Sequence, residues 1–319
     1  MTCTLEVGHI GASINIRWMR SDRYYASADK RSFLPTVLNE IEKRRGLTST
    51  STLENELTAI RSFIRFAGKG ITMGDITPQL IGNYERWLIG KDIRKNTSAC
   101  YLRSLRAVLN RCGKDGTNLF KKVRTGTFPT EKRAVDKKTI RKIEAVRLTP
   151  GTFPTLTREL YIFSIMAMGM PFVDLAHLKK SDVHDGHIIY HRQKTGKRIK
   201  VKIEPCMQEI IDRYNDPESP YLFPLLKTDS EKEYASLLNR YNRTLNKISL
   251  KAGLPQSLTS YTARHTWATT AYKTGEPLAV ISKALGHSSP IVTLNYLKET
   301  DDKAVMLANS LILREFNYL

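Results

Sequence analysis

The sequence predicts a mainly helical chain with one small β-hairpin, an α+β fold in two parts. Three observations predict it. Apolar residues recur at helical spacing through most of both halves. The stretch Lys114 to Arg133, rich in Gly, Thr and Lys and holding Pro129, separates the halves. One strict alternation, Arg198-Ile199-Lys200-Val201-Lys202-Ile203, interrupts the helical pattern of the second half as a half-buried strand does.

Residues 1–28 show no period and are read as an N-terminal arm. The helical first domain is placed at 29–115. Its first helix, 31–45, turns Phe33, Val37, Leu38 and Ile41 to one side, and the second, Thr52 to Phe66, does the same with Leu53, Leu57, Ile60 and Ile64. Thr77-Pro78 opens a third helix with an N-cap and a proline at its first position, running through Ile81, Tyr84 and Leu88 to Gly90. Thr97 is the expected cap of a fourth, which ends at Cys112 before Gly113. Residues 116–133 are read as a linker and 134–319 as the second domain.

In that domain helices are expected over Lys137 to Val146, Leu156 to Met168 and Val173 to Lys179, with Gly169, Met170 and Pro171 breaking the pattern. His187 to Arg192 reads as a strand. Lys194-Thr195-Gly196-Lys197 turns it back into the alternating strand. Helices follow at 205–214, 231–251, 261–273, 277–285 and 290–298. A tail helix, 301–313, carries Val305, Ala308, Leu311 and Ile312 on one side. No internal repeat and no low-complexity tract is present.

Charge narrows the function. The 319 residues include 51 Lys and Arg against 31 acids, a formal net charge of +20. Such an excess repels itself in a compact state and is usual where the partner is a polyanion, nucleic acid first of all. The hydrophobic fraction, 41%, is that of a globular protein and not of a disordered one. Cys3, Cys100, Cys112 and Cys206 form no CxxC pair and read as reduced thiols. The longest apolar run, Leu160 to Met170, contains Ser164 and falls short of the roughly 18 residues of a membrane span. With no signal-peptide core at the N-terminus, a cytoplasmic protein with no membrane partner is expected. Arg103 and Arg106 lie one turn apart on the fourth helix, with Arg94 and Lys95 just upstream. This stripe is the candidate DNA-binding surface of the first domain, although a solvated face has the same appearance.

Four stretches carry chemistry: Arg192-Gln193-Lys194-Thr195-Gly196; Tyr261-Thr262-Ala263-Arg264-His265-Thr266-Trp267-Ala268; Leu285-Gly286-His287; and Tyr296, nine residues after His287. At these residues the chain resembles the catalytic domain of the tyrosine recombinase (phage integrase) family, in the family's order and spacing, over roughly residues 134–300. The helical first half looks like the family's core-binding domain. Gly169-Met170-Pro171-Phe172-Val173-Asp174-Leu175 and the Arg-Gln-Lys-Thr-Gly run further resemble recombinases of Bacteroides-type mobile elements and DNA invertases.

The resemblance implies a nucleophile at Tyr296, a phosphate-clamping arginine at Arg264, a phosphate contact at His287 and a general acid at Lys194. The chemistry agrees. Cutting DNA without losing bond energy needs a reversible covalent enzyme–phosphate link. A tyrosine supplies it, and a guanidinium fork stabilises the charge that builds on the phosphate. A lysine acts as an acid near neutral pH when neighbouring cations favour loss of its proton, and Arg192, Lys197 and Arg198 are close by in sequence. No cofactor and no metal are expected. His184, His187 and His191 are no metal site either, since strand residues four apart stand about 13 Å apart.

Two positions depart from the family pattern. Tyr261 stands where the family usually has a histidine, and it is kept as a secondary active-site candidate. Pro171 stands where the first family arginine belongs. Proline donates nothing to a phosphate, so a second cation from elsewhere in residues 134–300 is expected to point at the pocket. The implied function is a site-specific recombinase for integration, excision or inversion. Its partners are double-stranded DNA, three further copies of the chain on two sites, and accessory DNA-bending proteins. The tail helix is expected to dock on a neighbouring copy. The alternatives are a non-catalytic DNA-binding protein of the same fold, which Pro171 favours, and a monomeric topoisomerase.

Overall fold

A computed structural model describes residues 32–128, 133–287 and 289–294, with a few isolated positions between 306 and 314. The chain divides between residues 130 and 131 into two compact units. The N-terminal arm, Tyr296 and most of the tail helix, including Val305, Ala308, Leu311 and Ile312, lie outside the described residues.

The first unit is a helical bundle of α1 (Phe33–Glu42), α2 (Thr50–Ala67), α3 (Pro78–Gly90) and α4 (Lys95–Arg111), followed by the one-turn α5 (Gly116–Leu119). Its core joins Phe33, Val37 and Ile41 of α1, Leu57, Ile60 and Phe63 of α2, Tyr84 and Leu88 of α3, and Leu102, Leu105 and Leu109 of α4. Phe63 is the hub, its ring 5.2 Å from Phe33 and 5.1 Å edge-on from Tyr84. The expected cap of α3 is present: the Leu80 N–H donates to Thr77 Oγ1 at 3.2 Å. The fourth helix differs. It begins at Lys95 with Arg94 in the cap position, so Thr97 lies inside its first turn.

Buried Glu56 on α2 ties this bundle together, accepting from Arg44 and from Arg111, both at 2.7 Å. A buried carboxylate is tolerated when its oxygens are paired in this way. Glu56→Gln is expected to lower the unfolding free energy by about 1.5–3 kcal/mol, the worth of a charged hydrogen bond. Denaturant unfolding measures it. An unchanged midpoint would mean that both arginines, half-buried at the rim, are served equally well by water.

Residues 116–128, assigned above to the linker, pack on this bundle. Leu119 and Phe120 are buried in its core. Asn96 holds Phe128 through both its main-chain groups, at 2.8 and 2.9 Å. Arg103 donates to the Thr125 carbonyl at 2.7 Å and the Gly126 carbonyl at 3.3 Å. Part of the cationic stripe therefore holds the chain's own segment. Arg106 is half-buried beside Gly116, while Arg94 and Lys95 are exposed.

The second unit contains α6 (Lys137–Glu144), α7 (Phe153–Met166), α8 (Phe172–Ala176), three strands, α9 (Pro205–Arg213), α10 (Glu231–Lys251), α11 (Ser260–Lys273), α12 (Leu278–Leu285) and α13 (Pro290–Leu294). Apolar α7 packs against α10 and α11. Phe163 meets Phe223 at 5.0 Å, and Phe172 stacks on Tyr241 at 3.9 Å. The strands β1 (Val183–His184), β2 (His187–His191) and β3 (Arg198–Lys202) form one antiparallel sheet in that order. Its register pairs Ile188 with Val201 and Tyr190 with Ile199. Those four side chains form the buried face. The expected hairpin is thus extended by a short edge strand. It turns at Asp185-Gly186, whose φ values of 48° and 70° are those of a type I′ turn. Among the described residues no helix is long and apolar enough to cross a membrane.

Candidate active site

Arg264 lies one turn into α11 and is only 2% exposed. Its guanidinium is engaged on three sides. Nη1 donates to the Gly169 carbonyl at 3.1 Å; Nη2 donates to the Leu285 carbonyl at 2.5 Å and lies 3.1 Å from His287 Nε2. Two glycines make this approach possible. Gly169 follows α7 with φ +68°, and a Cβ there would stand 3.0 Å from the Arg264 Cα. Gly286 stops α12 with φ +64°, the left-handed conformation that favours glycine. Any other residue at 286 would press on Ile199 and Arg192.

His287 follows directly and is 9% exposed. Since a guanidinium only donates, Nε2 accepts from Arg264, and the ring proton sits on Nδ1, 2.9 Å from Thr293 Oγ1 on α13. His287 is therefore neutral. Burial, and then the charges of Arg264, Arg192, Lys194 and Lys197, push it down from 6.5 to about 4. The sign of the linkage follows. The unfolded chain takes up this proton as pH falls through 6.5, whereas the folded chain resists until about 4. The contribution to stability is whole above 6.5 and is lost progressively between 6.5 and 4. His287→Gln is expected to flatten the fall in unfolding free energy across that window, as measured by denaturant titrations at several pH values. Parallel curves for the two proteins would refute it.

The hairpin turn docks on the same segment. Lys197 Nζ donates to the His287 carbonyl at 2.7 Å and Thr195 Oγ1 to the Gly286 carbonyl at 3.2 Å. Arg192 Nη1 donates to the Leu285 carbonyl, and Arg192 Nε lies 2.6 Å from Asp174 Oδ2. Asp174 is 3% exposed on α8, and its other oxygen accepts from the Gln193 N–H at 2.8 Å. Burial raises its carboxyl above the ordinary range, against that hydrogen bond and the two guanidiniums.

The structure thus brings together Arg264, His287 and the turn carrying Lys194. Lys194 itself is exposed, near enough for its charge to act on His287. Tyr261 sits three residues before Arg264, 48% exposed, its ring edge-on to His265 at 5.1 Å. Pro171 occupies the N-cap of α8. Among the described residues no group of three or more His, Cys, Asp or Glu is arranged to hold a metal ion. Sequence reasoning missed Arg192, Asp174 and Thr293 as site residues. A signal for Arg192 was present, since Ile188, Tyr190 and Arg192 share the inward parity of β2 and its continuation.

The phage integrase SAM-like domain matches residues 32–122, and the phage integrase family matches residues 138–303. The probable integrase/recombinase YoeC of Bacillus subtilis is 30% identical over 146 residues, 45% of this chain and 77% of that protein. The tyrosine recombinase of Thermosipho africanus is 22% identical over 264 residues, 80% of this chain and 91% of that protein. Among solved structures, a lambda integrase dimer bound to a core site superposes with a TM-score of 0.65 at 18% identity, covering 82% of this chain and 94% of that one. The Tn1549 transposon integrase, in complex with transposon right end DNA, superposes at 0.64 and 15%, covering 86% and 97%. These likenesses establish the fold. The family match spans more than half of the chain, which belongs to the phage integrase family.

Proposed function

We propose that this chain cuts and rejoins DNA at specific sites through a 3′-phosphotyrosyl intermediate formed on Tyr296. The observation that carries the reading is the buried Arg264–His287 pair, ringed by Arg192, Lys194 and Lys197 and balanced by a single bonded carboxylate, Asp174, among the described residues. A cluster with that excess of positive charge suits an anion that already carries its charge in the ground state and gains more in the transition state.

In this mechanism the Tyr296 oxygen attacks the scissile phosphorus and its proton is lost. The bond from phosphorus to the 5′ oxygen breaks. Arg264 holds a non-bridging oxygen through its fork. His287, kept neutral with its ring fixed by Thr293, accepts from Arg264 through Nε2 and so holds that guanidinium at the phosphate. Lys194, on the turn, protonates the departing 5′ oxygen, which leaves as the 5′ hydroxyl. Reversal with a 5′ hydroxyl from a second duplex completes the exchange. Four copies on two sites are the assembly this reaction needs, with the tail helix docking between neighbours. Arg94 and Lys95, the exposed part of the stripe, would meet the DNA backbone from the core-binding domain, 29–115, with Arg103 and Arg106 behind them, and accessory DNA-bending proteins would shape the sites. The reaction would take place in the cytoplasm.

The test is a nicked duplex carrying the recombination site, incubated in excess chelator and then denatured. A protein–DNA adduct that survives denaturation is expected. Specific binding without any adduct would favour the non-catalytic reading that Pro171 suggests, and adduct formation that requires magnesium would point to different chemistry.

A further inference from the structure

We propose that Arg192 is the second phosphate-binding guanidinium of this pocket, supplying from the β-hairpin what Pro171 cannot supply from α8. The inference rests on the strand-transfer reading above and assigns a residue to it. Arg192 is 6% exposed, which for an arginine requires a specific arrangement. Its position is doubly fixed. Asp174 holds Nε, and the Leu285 carbonyl holds Nη1, leaving Nη2 for a ligand.

The placement matches the gap. Asp174 lies three residues after Pro171, the N-cap residue of the five-residue α8, so the two positions stand at the same end of that short helix. The arginine held by Asp174 therefore stands beside the position where the chain has proline. It also stands beside Arg264, because both guanidiniums donate to one oxygen, that of Leu285. Two buried cations on one carbonyl repel each other strongly at low dielectric. Folding keeps them together only with a counter-charge. Asp174 offsets one of them, and a phosphate bridging the pair would offset the rest. Asp174 then acts as a positioning residue, and Arg192 as a catalytic one.

The experiment compares single-turnover strand cleavage of two nicked duplexes, one with an ordinary phosphate at the scissile position and one with a methylphosphonate, which lacks the charged non-bridging oxygen. On phosphate, Arg192→Ala is expected to cleave about 100- to 1000-fold more slowly than the parent, the usual loss for one charge-stabilising donor. On methylphosphonate most of that deficit should vanish, because there is less charge to stabilise. Adding Pro171→Arg to Arg192→Ala should restore part of the rate on phosphate. Because Arg192→Ala leaves Asp174 buried without its partner and can fail to fold, Arg192→Lys serves as the second variant. It keeps a cation at Asp174, should melt near the parent, and should also be slowed more on phosphate than on methylphosphonate.

Equal slowing on both substrates by whichever variant folds would overturn the proposal and leave Arg192 a structural residue. So would parent-like cleavage of phosphate by a folded Arg192→Ala. If the parent itself forms no adduct on either duplex, the recombinase reading fails and takes this role with it. That outcome is distinct, because it appears before any variant is compared.

Discussion

Tyr296→Phe is expected to bind its DNA as the parent does and to form no covalent adduct. The substitution removes one oxygen and keeps the ring. DNA affinity comes mostly from cations meeting phosphates, and the +20 formal charge of the chain is untouched. The covalent bond, by contrast, has no other source if this phenol is the nucleophile. A free phenol titrates near 10 and is a weak nucleophile at neutral pH, so on the proposed mechanism this phenol would need neighbouring cations to activate it. Gel shift and denaturing electrophoresis on the same samples separate the two properties. An adduct formed by the variant would move the nucleophile elsewhere, with half-exposed Tyr261 the first alternative.

Arg264→Ala is expected to slow cleavage by at least about 100-fold, and by roughly 1000-fold if its fork contacts the phosphate twice. A second readout tests the geometry independently of activity. Arg264 contributes most, after burial, to holding His287 down at about 4. Without that neighbouring charge the imidazole should titrate closer to 6.5, which NMR titration of the DNA-free protein would detect. The variant also leaves the Gly169 carbonyl without the Arg264 bond, a loss of about 1–3 kcal/mol in stability. Arg264→Lys should keep His287 low yet recover little cleavage, since an ammonium restores the charge without the fork. Recovery to the parent rate would show that charge alone is needed at this position.

Much of this molecule is legible in its sequence. The helices α1 to α4 follow from Phe33 and Val37, Leu57 and Ile60, Ile81 and Tyr84, and Leu102 and Leu105, whose spacing marks a buried stripe that local patterning reveals directly. The pair Arg264 and His287 was legible from motif spacing and the resemblance it supports. What escaped depends on contacts distant in sequence. α5 has one turn, too short for a period, and exists because Leu119 and Phe120 are buried against the bundle. β1 has two residues, and its signal lay in Asp185-Gly186, a turn dipeptide overlooked beside the stronger hairpin. Arg103 was read as a phosphate contact from its helical face. Its bonds to Thr125 and Gly126 join residues 22 and 23 positions away, which no helical wheel displays. In sequence Arg192 stands in a motif stretch as a cation near Lys194, with little beyond its strand parity to mark it as buried. Its burial depends on α8 and on the end of α12, brought alongside the hairpin by the fold.

The oxygen that joins the two arginines belongs to the main chain. The Leu285 carbonyl closes α12, where the aligned peptide dipoles of the helix leave a partial negative charge. That counter-charge does not depend on the side chain at 285, which is free to vary so long as it fills its place beside Ala268 and Ile281. What must be kept is the point at which the helix stops. Were Gly286 replaced by a residue that lets α12 continue, the Leu285 oxygen would turn toward the amide four residues on, at position 289, as every carbonyl inside a helix does. Both guanidiniums would then lose their shared anchor through a change in helix length, with no charged residue altered.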